Sequence, residues 1–162
     1  MTMVDNRKQN VSVRMSSTDL RRIKDIALRM SVRDSDVFRF AIKSTLAKLT
    51  PLNDSLVRGK DLLPVFVGSG SELTSYFELD TLRLEKIINS GVDDPQKRVE
   101  HEDIELLAMV GIQENYVYMR LKQLLEKQPE QHAVNNALKE YLLEKYIGGL
   151  RGMEVGEVAK SA

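Results

Sequence analysis

The chain has 162 residues, 30% of them charged and 42% hydrophobic, the make-up of a folded chain rather than a disordered one. It has no cysteine, which excludes disulfide frameworks, cysteine zinc sites and thiol nucleophiles. Its 24 Lys/Arg and 24 Asp/Glu cancel, but unevenly: residues 1–50 hold 11 cations and 5 acids, a net of +6, and residues 51–162 hold 13 and 19, a net of −6. No run approaches the ~18 apolar residues that cross a bilayer. The N-terminal MTMVDNRKQN has no apolar stretch of a secretory leader, so a cytoplasmic location is expected. A basic segment joined to an acidic one suggests that the first meets a polyanion and the second does not.

In residues 10–15, Val11, Val13 and Met15 alternate with Asn10, Ser12 and Arg14, the period of a half-buried strand. Ser16-Ser17-Thr18-Asp19 offers N-caps. Leu20, Ile23, Ala27 and Met30 then repeat at helical spacing, with Arg21, Arg22, Lys24, Asp25 and Arg29 on the other face. After Ser31-Val32-Arg33-Asp34, a second helix with Asp34 or Ser35 near its cap carries Val37, Phe38, Ala41, Ile42, Leu46 and Leu49. Pro51 is expected to end it. A lone strand cannot pair its own backbone groups, and two short helices bury little. A homodimer sharing a core of Val11, Val13, Met15, Leu20, Ile23, Ala27, Val37, Phe38, Ala41, Ile42 and Leu46 would solve both problems.

This stretch, roughly residues 9–49, resembles the ribbon-helix-helix DNA-binding proteins of the Arc, MetJ and CopG type, with Ser31 where a glycine is usual and Arg33 where a capping serine is common. The resemblance implies a two-stranded ribbon in the major groove, with Asn10, Ser12 and Arg14 at base edges. It also implies phosphate contacts from Arg7, Lys8, Arg33, Asp34 and Ser35 around the start of the second helix.

Residues 51–61 read as a linker, and 62–150 as an acidic, mostly helical α+β domain for oligomerisation, a protein partner or a small-molecule effector. Residues 151–162 read as a flexible tail. The run Leu62–Val67 suits a strand, and Gly68-Ser69-Gly70 a turn. Residues 71–89 fit either a helical stripe of Leu73, Tyr76, Phe77, Leu84, Ile87 and Ile88, interrupted by Asp80, or, the preferred reading, an extended piece through Leu79 before a helix capped by Asp80. Three stripes follow: Ile104, Leu107 and Ala108; Val117, Leu121, Leu124 and Leu125; and Val134, Ala137, Leu138 and Tyr141.

His101, between Glu100 and Glu102-Asp103, lacks a ligand set at metal spacing; acids gathered at a helix start account for it better. Tyr116, Tyr118, Tyr141 and Tyr146 with Met109 and Met119 suit a core better than a ligand pocket.

The expected fold class is therefore mainly α with a short N-terminal strand. The expected function is that of a DNA-binding transcriptional regulator of the repressor type, acting as a dimer or tetramer on double-stranded DNA. No enzyme activity, cofactor, metal or membrane partner is expected. An antitoxin, a plasmid partition or relaxosome accessory protein, and a protein-interaction domain are the alternatives.

Overall fold

The structure, a computed structural model, describes residues 7–125, 128–130 and 133–148. The expected tail, 151–162, lies outside them. The chain divides between Ala47 and Lys48 into two compact units.

In the N-terminal unit, residues 7–16 take no regular structure and are exposed. Helix α1 spans Ser17–Met30 and α2 spans Asp34–Asn53. The expected strand at 10–15 is absent, which corrects the fold class. Alternation marks a preference for one face, but a ladder needs a second strand, and the described residues contain none.

Ser16 caps α1 by accepting from the Asp19 N–H (3.1 Å), and its hydroxyl donates to the Asp19 carboxylate (2.7 Å). Ser31 closes the helix in the left-handed region (φ 55°), where glycine is commoner; the Val32 N–H reaches the Ala27 carbonyl at 3.0 Å. Arg33, rather than Asp34 or Ser35, directly precedes α2. Its N–H donates to Asp36 (3.3 Å) while its carbonyl accepts from the Asp36 N–H (2.9 Å), so an acid one turn inside the helix does the capping. Pro51 lies within the last turn of α2 instead of ending it. So late in a helix it removes a single backbone bond.

The C-terminal unit is also helical. A 3-10 turn at Gly59–Leu62 leads into α3 (Leu63–Ser69) and α4 (Ser71–Tyr76). Then come α5 (Thr81–Asn89), a 3-10 turn at Pro95–Lys97, α6 (His101–Met109), α7 (Glu114–Leu124) and α8 (Val134–Tyr146). The α+β expectation fails here too. The run at 62–67 turns into α3, with Pro64 in the first turn, where its missing N–H costs nothing. Leu63, Val65, Phe66 and Val67 are all buried, and because Pro64, the exposed position among them, is itself no polar marker, the sequence of the run shows no period to read. Of the two readings of 71–79, the extended one fails: Ser71–Tyr76 is helical, and Glu78 closes that helix at φ 50°. Asp80 caps α5 as expected, accepting from the Arg83 N–H at 2.8 Å. The three stripes of the last third lie on α6, α7 and α8, apart from Leu125, which follows the end of α7.

The core joins α3, α5, α6, α7 and α8 through Phe66, Leu84, Ile88, Ile104, Leu121 and Leu142, each no more than 1% exposed. Asn89, also buried, ties the loop after α5 to the core. Its amide donates to the Val99 carbonyl (2.8 Å), and its Oδ1 accepts from the Val99 N–H (3.0 Å). At Gly59 (φ +61°), a Cβ would fall 2.1 Å from the Lys97 carbonyl oxygen, so only glycine lets these two backbones touch.

Candidate nucleic-acid interface

Described residues 7–47 carry 10 Lys/Arg and 4 acids, a net of +6. Little of this charge is neutralised locally. Asp19 pairs with Arg22 (3.8 Å), and Asp36 pairs with both Arg33 (3.1 Å) and Arg39 (3.2 Å). Lys8, Arg14, Arg21, Lys24, Arg29 and Lys43 make no ion pair among the described residues.

Helical geometry sorts α1 into two faces. At about 100° per residue, Leu20, Ile23, Ala27 and Met30 fall within a sector of about 80°, and Arg21, Arg22 and Arg29 fall opposite it. Ala27 is the one buried residue of α1, and the described part of α2 has none. Met30 (65% exposed), Phe40 (73%), Ile42 (59%) and Leu46 (63%) lie open, and Ala41 is exposed as well. Leu20 is exposed too, while Ile23, Val37 and Phe38 are half-buried.

Of the expected base-contacting residues, Asn10, Ser12 and Arg14 stand exposed on the irregular arm; so do Val11, Val13 and Met15, which were expected to face a core. Arg7 and Lys8 are exposed on the same arm. Arg33, Asp34 and Ser35 come together where α2 begins, but the Arg33 guanidinium is held by two bonds to Asp36 (3.1 and 3.2 Å). That pairing pulls the Asp36 carboxyl below its ordinary range and raises Arg33. Arg33 is thus already engaged with an anion.

A second polar cluster carries no signal in the sequence. Asp103 at the start of α6 is 1% exposed. It accepts from the hydroxyls of Tyr141 (3.0 Å) and Tyr146 and from Lys145 Nζ (2.7 Å). Lys145 also donates to Glu100 (2.8 Å). Every polar group here has a partner, and the cluster clamps α8 onto the start of α6. Burial, then the bond to Asp103, raises the Tyr146 hydroxyl; burial and the Asp103 charge raise Tyr141. Burial opposes the Lys145 charge, but its bonds to Asp103, Glu100 and Tyr141 outweigh that, so Lys145 is raised as well.

Groups raised in the folded state keep protons that the unfolded chain loses above its ordinary tyrosine and lysine values of 10.0 and 10.5. The clamp's contribution is therefore fully present at neutral pH and is lost as pH climbs beyond those values. Urea midpoints measured from pH 7 to 11 should hold steady and then fall above about pH 10, with a shallower fall in Tyr146→Phe.

His101 Nδ1 lies 3.3 Å from Glu85 and is exposed, and no group of three or more His, Cys, Asp or Glu among the described residues is placed to hold a metal ion. The four tyrosines do not share a pocket: Tyr116 bonds Glu105 (3.2 Å), Tyr118 accepts from Gln128 (2.9 Å), and the other two meet at Asp103. The gap lined by Phe66, Val67, Leu107, Val110 and Leu138 is about 20 Å³, too small for an organic effector. No helix among the described residues is long and apolar enough to cross a membrane.

No protein-family model matches the chain, and no curated protein or solved structure does either. The resemblance to ribbon-helix-helix proteins is thereby corrected. That domain is built on a β-ribbon, the described residues contain no strand, and no family match supports the assignment.

Proposed function

We propose that the chain is a sequence-specific DNA-binding regulator, acting as a homodimer, whose N-terminal helical unit and preceding arm contact DNA. The observation that carries this reading is the concentration of unneutralised cations in residues 7–47, set against an acidic remainder. Arg21, Arg22 and Arg29 on one face of α1 suit a row of phosphates, and the exposed arm brings Asn10, Ser12 and Arg14 within reach of base edges.

The open apolar residues of α1 and α2 support the homodimer. Forty-one described residues that bury one side chain hold too small a core to stand alone, and a second copy would cover Met30, Ile42 and Leu46.

Selection of tight-binding duplexes from random-sequence DNA tests this reading. The recovered sites should contain two half-sites related by a dyad, as a two-fold dimer requires. Arg14→Ala should cost about 1–3 kcal/mol on the selected site and relax one base pair per half-site. Arg29→Ala should weaken selected and random DNA alike. Recovery of no enriched site would end the proposal. Equal losses on both DNAs with Arg14→Ala would remove the arm as the reading element.

A further inference from the structure

We propose that the outer face of α5 is a docking site for an acidic amphipathic helix of a partner protein. The inward face of α5 puts Leu84 and Ile88 at 0% exposure in the core. Its outer face adjoins two open grooves that share Ile87. One, about 340 Å³, is lined by Leu79, Arg83, Lys86 and Ile87. The other, about 270 Å³, is half polar: Ile87, Leu62, Val57 and Leu52 share it with Asp54, Ser55, Ser90 and Arg58, whose guanidinium donates to the Ser55 and Gly91 carbonyls. Leu82, 76% exposed, lies one turn before Lys86, with Arg83 and Lys86 separating it from Ile87 around the helix. Single exposed apolar residues need no explanation, but the first groove sets an apolar floor of Leu79 and Ile87 beside two cations, Arg83 and Lys86.

The charges on this face select the occupant. Arg83 and Lys86 make no ion pair among the described residues, although the region beyond residue 50 is net −6. Two free cations beside an apolar floor suit a helix with leucine-type residues on one side and carboxylates along its edge. A second copy of this face fits poorly. A two-fold contact sets each patch against itself and would bring Arg83 and Lys86 against their own equivalents. Nucleic acid would leave the apolar floor unused. The site is independent of the DNA-binding reading, because it uses none of residues 7–47.

The test titrates the full ¹⁵N-labelled chain with a synthetic helical peptide bearing leucines at i, i+4 and i+7 and flanking glutamates. A second peptide has lysine in place of every glutamate. The acidic peptide should shift the amide signals of Leu79, Arg83, Ile87 and Leu52 saturably, and the basic one should not. The double variant Arg83→Glu/Lys86→Glu, both exposed and expected to keep the helical circular dichroism, should bind the acidic peptide at least about tenfold more weakly. Ile87→Glu should abolish the shifts. Three outcomes overturn the proposal: no saturable shift up to millimolar acidic peptide, equal shifts from both peptides, or unchanged binding in the charge-reversed variant. Sedimentation showing that Ile87→Glu dissociates the chain from itself would assign the face to a second copy and overturn it too.

Discussion

Asp103→Ala is expected to destabilise the C-terminal unit by about 3 kcal/mol or more, read as a lower urea midpoint by circular dichroism. The carboxylate is the common acceptor for two tyrosine hydroxyls and one ammonium, and it is almost wholly enclosed. Its removal leaves Tyr141 and Tyr146 half-buried without that acceptor and empties the space between α6 and α8. Lys145 limits the damage. Its side chain is 31% exposed and keeps Glu100 at 2.8 Å, so its charge is not stranded in a dry interior. For that reason the low end of the range for breaking a buried ion pair is the appropriate one. Asp103→Asn, which keeps the shape and one acceptor, should cost less. A loss below about 1 kcal/mol for Asp103→Ala would mean that the cluster adds little beyond the packing around it.

The helices of the last third were legible because each carries apolar residues at helical spacing, Ile104, Leu107 and Ala108 on α6 or Val134, Ala137 and Leu138 on α8. The cap at Asp80 was legible for a related reason: it is local chemistry, an acid followed by a helical run. What failed was information that the chain supplies only in three dimensions. Val11, Val13 and Met15 alternate, but whether a strand forms depends on a pairing partner that a local pattern does not contain. The run at 62–67 carries no polar residue, even at exposed Pro64, and so its sequence has no period to separate helix from strand. Glu78 occupies left-handed backbone without being glycine, so the helix end it makes gives no signal, whereas the end at Ser31 showed where the apolar stripe of α1 stops. The Asp103 clamp joins residues about forty positions apart, and the Asn89 bridge replaces backbone pairing with a side chain. Neither leaves a motif. The N-terminal charge excess was visible by counting, and the structure adds which cations have partners: Arg33, expected at a phosphate, is bound to Asp36, whereas Arg21 and Arg29 make no ion pair among the described residues.

The central claim is that residues 7–47 meet the DNA backbone, and the salt dependence of duplex affinity tests it most directly. A homodimer placing about 6–10 cations at phosphates should lose on the order of a thousandfold or more in affinity between 50 and 200 mM salt, because each neutralised phosphate releases its condensed counterions. Replacing Arg21, Arg22 and Arg29 together with alanine should flatten the log–log slope by about 1 for each phosphate that is no longer neutralised, and should weaken all sequences alike. These side chains lie on the exposed face of α1, so helix content should be unchanged. A steep slope in the native chain, reduced in the triple variant, is the result this account predicts. An affinity that barely changes across that salt range, or a slope that survives removal of all three arginines and of Lys8 and Arg14, would contradict it.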